Sequence, residues 1–262
     1  MDQSDHLSKI AIATDWLPRY TGMPVDGFGD YILLTNFKSY VDAFAERFAC
    51  EVTGSDKPMQ AASNDQGVSI INFGMGTANA ATIMDCLVAR MPKAVLFLGK
   101  CGGLKNSTEI GHFILPIAAI RGEGTSDDYF PPAVPALPSF KLHKFVSEMI
   151  VQRGLEYRTG VVYTMNRRMW EHDAAFLAKL REHTAIAVDM ETATIFIVGH
   201  HNQIARGALL LVSDVPTSPD GVKTSKSDSR VTADWANVHL DLGIAAMTDL
   251  ADEGESIKHF TF

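Results

Sequence analysis

The 262-residue chain has few cysteines, a shortage of basic residues and no long hydrophobic segment. Its three cysteines, Cys50, Cys86 and Cys101, are too few for a disulfide framework and lack the spacing of a metal site. No apolar run approaches the roughly 18 residues of a membrane-spanning helix. The acidic start of the chain is unlike a secretory signal peptide. These features predict a cytoplasmic protein with reduced thiols, no metal site and no membrane partner.

Acidic residues outnumber basic ones, with 31 Asp and Glu against 23 Lys and Arg and a formal net charge of −8. A chain without a basic surplus has no general attraction for nucleic acid, so we expect none as a partner. An anionic small substrate would need a local basic pocket. The length and the 46% hydrophobic content suit one large domain with a full core.

Apolar segments alternate with helical patterns, which predicts one α/β domain over residues 1–262. Its expected centre is a mixed β-sheet flanked by helices. The predicted strands cover residues 31–36, 67–76, 94–99, 112–120, 159–164 and 208–212.

Two segments stand apart from this alternation. Residues 1–30 are predicted to form an N-terminal helix, which ends at Pro18, and a loop. Residues 215–230 are rich in Ser, Pro and Lys and predict a flexible active-site loop. A final helix is predicted over residues 232–251.

Two carboxylates follow apolar strands. Glu191 stands where a short strand runs into a helix, and Asp214 follows the strand at 208–212. Ligands in open α/β sheets bind outside the carboxyl ends of strands, so the two residues are a candidate acid and polar anchor. Either residue could instead only cap a helix or a turn, and both interpretations stay open on this evidence.

Pairs of glycines end two of the predicted strands. Gly74 and Gly76 suggest a dinucleotide site, but Asn79 stands where the third glycine belongs and no acidic residue ends the next strand. We therefore expect no nicotinamide, and no other cofactor is indicated. The turn could still bring backbone close to a ligand, as could Gly102 and its neighbour Gly103.

Seven short motifs occur in one order, at residues 19–24, 34–37, 99–104, 131–135, 170–171, 189–194 and 213–216. Together they resemble the catalytic domain of the AMP nucleosidases, within the purine nucleoside phosphorylase and nucleosidase superfamily. The resemblance runs from about residue 16 to the end of the chain. It implies a nucleoside phosphorylase-like fold, cleavage of AMP to adenine and ribose 5-phosphate, and a homo-oligomer built as a hexamer from three dimers. The regulatory domain of the long bacterial form has no counterpart among these motifs.

The resemblance also implies residue roles. Asp214 would protonate the purine at N7, with Arg230 moving in beside it and Lys223 on the same loop. Glu191 would accept hydrogen bonds from the ribose hydroxyls, with Met190 against the sugar. For Arg230 and Lys223, the alternative is a solvated loop surface.

Other parts of the substrate have several candidate partners. The purine could stack on Trp170 or Tyr163, although either ring could equally be core packing. The 5′-phosphate needs local positive charge or backbone donors. Its candidate cations are Arg19, Lys100, Arg167 and Arg168.

The attacking group is the least defined part of the site. The resemblance implies that phosphorylases of the superfamily bind the attacking phosphate with an Arg and a Ser. This chain has Phe97 near the position of the Arg and Lys100 at the position of the Ser. That difference favours water over phosphate. Related nucleosidases carry a Glu near the end of the first strand, where this chain has Thr35 and Asn36, so the water-activating group cannot be named from the sequence. The alternatives are a purine nucleoside phosphorylase or nucleosidase acting on unphosphorylated nucleosides, and a nucleotide sensor without activity.

Overall fold

In the computed structural model, the described residues are 3–105, 107–218, 221 and 225–253. They form eight strands and seven α-helices in one α/β domain. The strands are β1 (Tyr31–Thr35), β2 (Gln60–Ser63), β3 (Val68–Asn72), β4 (Ala94–Gly103), β5 (Phe113–Gly122), β6 (Tyr157–Met165), β7 (Ala187–Asp189) and β8 (Arg206–Asp214). The helices are α1 (Gln3–Thr21), α2 (Lys38–Phe48), α3 (Thr77–Cys86), α4 (Phe140–Gln152), α5 (Ala174–Glu182), α6 (Thr192–His201) and α7 (Ser225–Glu253).

The strands join into one mixed sheet in the order β2-β3-β1-β4-β7-β6-β5-β8, and β8 also pairs with β4. Strand β1 pairs in parallel with β3 and with β4, and β4 also pairs in parallel with β8. Their carboxyl ends therefore meet at one edge. The predicted mixed sheet flanked by helices is confirmed.

Helices cover both faces of the sheet, which explains the long apolar runs in the sequence. Strand β1 is buried along its whole length, and α6 is buried from Thr192 to Gly199. An element that is apolar on every side belongs in the interior. The rigid core on both sides fixes the ends of β1, β4 and β8, where the site lies.

Two boundaries differ from the sequence prediction. Helix α1 continues through Pro18 to Thr21, and the Gly22 N–H donates to the Pro18 carbonyl at 2.8 Å, which closes the turn after the proline. Gly22 then ends the helix with a left-handed φ of 70°. Helix α7 begins at Ser225, so the second part of the loop expected over 215–230 is helical.

The long segment after β5 is held by one buried side chain, that of Arg121, which is 4% exposed. Its guanidinium donates to the Ser126 hydroxyl at 2.9 Å and pairs with Asp127 at 2.9 Å. It also donates to the carbonyls of Phe130, Pro131 and Val134. This planar, five-donor group shapes the loop as a flexible ammonium could not.

We expect Arg121→Met to lower the free energy of unfolding by about 3 kcal/mol, because it removes the donor to the Phe130, Pro131 and Val134 carbonyls, of which that of Pro131 keeps the Val134 N–H. The melting temperature should fall by about 10 °C for a chain of this size. Arg158→Met is the control, since the Arg158 side chain is 44% exposed and its loss should change stability by about 0.5 kcal/mol or less. Equal melting temperatures for the two variants would contradict this role of Arg121.

Candidate active site

A cleft of about 130 Å³ opens at the carboxyl edge of the sheet. Its walls come from the ends of β1, β4, β6, β7 and β8 and from the turn between β3 and α3. It brings together eight of the residues predicted from the sequence: Asn36, Lys100, Gly102, Arg168, Trp170, Met190, Glu191 and Asp214. Residues far apart in the chain therefore meet at the ends of neighbouring strands.

Glu191 is 2% exposed and lies at the start of α6. Its carboxylate accepts the backbone N–H of Gly76 at 2.8 Å, and the side chain of Asn36 also donates to it. Gly76 has a φ of 97°, a left-handed value that favours glycine. The glycine turn after β3 therefore donates an N–H to the Glu191 carboxylate. It does not serve as the phosphate-binding loop of a dinucleotide site.

Asp189 is a buried carboxylate with a structural role that the sequence prediction missed. It accepts the hydroxyls of Thr164 at 2.6 Å and Thr192 at 2.5 Å. It also accepts the backbone N–H groups of Thr192 at 2.8 Å and Glu191 at 3.2 Å. These four donors hold the turn from β7 into α6, so Asp189 caps the helix and leaves Glu191 for the cleft.

Burial raises the pKa of Glu191 to about 8, and the negative charge of Asp189 adds to the rise. The donors Gly76, Met190 and Asn36 act in the opposite direction. Burial also raises the pKa of Asp189, against the hydrogen bonds of Thr164 and Thr192. Since Asp189 has four donors, its negative charge is better stabilised than that of Glu191.

Asp214 ends β8, opposite Gly102 of β4 in register, and is 8% exposed. The Ser213 hydroxyl donates to its Oδ1 at 2.7 Å. A side chain at Gly102 would come within 3.0 Å of the Pro216 ring. Gly102 therefore lets the segment after Asp214 lie close against β4, as expected for a glycine at a close approach.

Of the two candidate stacking rings, the structure brings only Trp170 to the cleft wall. Tyr163 is 2% exposed and packs edge-on against Phe176 and His183. Its ring also covers Gly122, where a Cβ would come within 2.3 Å. Tyr163 and Trp170 belong to the same small hydrophobic core, and Trp170, which is 1% exposed, also borders the cleft. Stacking of the purine on Tyr163 stays a prediction, which the position of the ring away from the cleft disfavours.

The candidate cations separate into three groups. Lys100 and Arg168 line the cleft, with the Lys100 ammonium 4.6 Å from the Phe37 ring centroid. Arg19 does not line it: its side chain is 68% exposed and pairs with Asp15 of the same helix. Arg167 pairs with Asp173 at 2.7 Å. Lys223 and the side chain of Arg230 lie outside the described residues.

Arg168 also contacts Glu171, a residue of the cleft wall that belongs to one of the seven motifs. Its guanidinium pairs with Glu171 at 2.9 Å, and Glu171 accepts the Trp170 backbone N–H at 3.0 Å. Burial alone would raise the pKa of Glu171, but these two donors and its own backbone N–H lower it. Glu171 is therefore an anion that balances Arg168.

Two negative findings bound the site within the part of the chain that the structure describes. No cluster of three or more His, Cys, Asp or Glu side chains has the arrangement of a metal site. The helices there are each too short or too polar to cross a bilayer.

The Phosphorylase superfamily profile matches residues 31–247. The solved structure of AMP nucleosidase from Bacteroides thetaiotaomicron is 48% identical, with a TM-score of 0.82, over 94% of this chain and 99% of that one. AMP nucleosidase from Escherichia coli K12 is 31% identical over 92% of this chain and 59% of its own length. The chain thus spans about three fifths of that curated relative. Uridine phosphorylase from Vibrio fischeri, 18% identical with a TM-score of 0.77, shares the fold. The resemblance seen in the sequence is confirmed: the chain belongs to the phosphorylase superfamily and, within it, to the AMP nucleosidase family.

Proposed function

We propose that the chain hydrolyses AMP to adenine and ribose 5-phosphate. The observation that carries the proposal is the meeting of Asp214 and Glu191 in one cleft of an AMP nucleosidase-type chain. Cleavage of an N-glycosidic bond builds positive charge on the ribose and negative charge on the leaving purine. A buried carboxylate that accepts from the sugar hydroxyls relieves the positive charge on the ribose, and a buried acid relieves the negative charge on the purine.

In this mechanism, the ribose 2′- and 3′-hydroxyls donate to Glu191 and the sugar lies against Met190. The acceptor strengthens as the ring gains charge, so it favours the transition state over the ground state. Asp214 delivers a proton to purine N7 as the bond between C1′ and N9 breaks. The Trp170 side of the cleft faces the base.

The 5′-phosphate is assigned to the two cations of the cleft wall, Lys100 and Arg168. Arg168 is held by Glu171, so a bound phosphate would compete with that carboxylate for the guanidinium. Arg168 and phosphate can form a bidentate pair, whereas Lys100 offers a point charge. The hexameric assembly and the cytoplasmic location expected from the sequence stay predictions.

Phosphorolysis of unphosphorylated nucleosides is the second candidate. One observation disfavours it. Phe97 is fully buried and packs 5.8 Å from Phe73, so the position gives an incoming phosphate no polar partner. A water molecule is neutral, so it needs no cation at this position to balance a charge.

The test measures base release from AMP and from adenosine, each with and without inorganic phosphate. We expect adenine and ribose 5-phosphate from AMP without added phosphate, and at least about 10²-fold lower kcat/KM for adenosine, because a remote charged group supplies binding energy to the reaction. Ribose 1-phosphate formed from adenosine only in the presence of phosphate would overturn the proposal. An inactive protein that still binds AMP would indicate a sensor.

A further inference from the structure

Hydrolysis needs a group that takes a proton from the attacking water, and the residues at the end of β1 do not supply a carboxylate. Thr35 donates its hydroxyl to the Leu98 carbonyl at 3.1 Å. Asn36 is an amide and cannot take up a proton in water. The base must therefore come from another element that reaches the same end of the cleft.

Four described residues bring carboxylates to the cleft: Glu171, Asp189, Glu191 and Asp214. Glu171 is paired with Arg168, and Asp189 is used by four donors of its own turn. Asp214 is the proposed acid on the purine side. Glu191 is the carboxylate that remains after these assignments.

The position of Glu191 fits an attack from the face opposite the purine. Its carboxylate is bonded to Gly76, after β3, and to Asn36, after β1. Asp214 ends β8, on the far side of β4. Acid and base in inverting glycosidases lie on opposite sides of the bond that breaks, with room for a water molecule beside the base.

Resting on the function proposed above, we propose that Glu191 is the general base of the hydrolysis as well as the ribose anchor. The water oxygen bonds to C1′ and its proton passes to Glu191, directly or through the ribose 2′-hydroxyl. The bond from C1′ to N9 breaks, its electron pair goes to the purine, and the Asp214 proton goes to N7. Adenine and α-ribose 5-phosphate leave, and exchange with solvent moves the proton from Glu191 back to Asp214.

The environment of Glu191 suits this role because its proton affinity lies near neutrality instead of in the ordinary carboxyl range. Asp189 is the charged group that faces it, and the hydrogen bonds of Gly76 and Asn36 restrain the carboxylate. A carboxylate with a raised pKa accepts a proton more readily than an ordinary one, so burial next to Asp189 suits a proton-transfer role.

The decisive experiment compares Glu191→Gln and Glu191→Ala with the wild type on AMP. If Glu191 is the base, Glu191→Gln lowers kcat about 10²- to 10⁴-fold and removes the acidic limb of the pH profile. Azide, which needs no base, then accelerates Glu191→Ala and forms ribosyl azide 5-phosphate. Glu171→Gln, a carboxylate change in the same cleft, gains nothing from azide. A rise in KM with kcat within tenfold of wild type would overturn the base role.

A wild-type measurement guards against misfolded variants. Methanol competes with water as the nucleophile, and the trapped methyl riboside 5-phosphate keeps its anomeric configuration. The α-anomer is expected, and the β-anomer would overturn the inference. Failure of the wild type to cleave AMP would overturn the proposed function itself, whereas AMP cleavage without loss in Glu191→Gln would overturn only the base assignment.

Discussion

Asp214→Asn is expected to lower kcat for AMP cleavage about 10²- to 10⁴-fold, which corresponds to about 2.7–5.4 kcal/mol of transition-state stabilisation. The amide keeps the size of the side chain and can still donate a hydrogen bond to N7. It cannot transfer a proton, so the purine would have to leave as an anion. The KM for AMP should change little, because the ground-state contacts remain. Steady-state adenine release, followed by absorbance or chromatography, measures both constants.

Two matched variants control for local disturbance. Ser213→Ala removes the hydroxyl that donates to Asp214 at 2.7 Å but keeps the acid, so the loss in kcat should be about tenfold or less. Asp42→Asn changes an exposed carboxylate on α2 and should leave the rate unchanged. If Asp214→Asn retained a kcat within tenfold of the wild type, another group would have to protonate the purine.

The general position of the site could be predicted because it depends on local features of the sequence. Apolar segments ending at Glu191 and Asp214 mark strand ends. Strand β7 is antiparallel to β4 and β8 is parallel to it, yet both strands reach β4 at Gly102, so their ends meet there. The motifs then gave the family, which the comparisons confirm. Eight predicted site residues line one cleft for this reason.

The roles of neighbouring residues could not be predicted, because they depend on packing between distant elements. Tyr163 and Trp170 are both aromatic residues near the end of β6, yet only Trp170 reaches the cleft. Both rings pack against Phe176, and Tyr163 also covers Gly122; nothing in the local sequence reports these contacts.

Asp189 and Glu191 present the same difficulty, two residues apart. Both are acidic residues near a helix start, and the sequence alone does not tell which of the two caps the helix. The threonines that hold Asp189 come from β6 and α6, so its structural role became visible only in three dimensions. The chain thus places one carboxylate in the scaffold and the other in the site, and substitution can separate the two.

Asp189→Ala should be the most destabilising single change near the cleft. It leaves two hydroxyls and two backbone N–H groups of the turn without their acceptor. Relief of the cost of burying the charge offsets part of this loss, so we expect a net decrease in the free energy of unfolding of about 3 kcal/mol. The melting temperature should fall by about 10 °C, measured by calorimetry. A melting temperature within 2–3 °C of wild type would show that the turn holds without the carboxylate.

Asp189→Asn tests the electrostatic half of the same arrangement. The amide oxygen still accepts from the turn, and the threonine hydroxyls can rotate to accept from its N–H groups. The negative charge next to Glu191 is lost, so the Glu191 anion becomes easier to form and its pKa falls from about 8. Because the anion is the active form, the acidic limb of kcat/KM moves to lower pH, and activity at pH 6 rises relative to the plateau. An acidic limb at the wild-type position would mean that burial alone sets the pKa of Glu191, and that Asp189 acts only as the cap of α6.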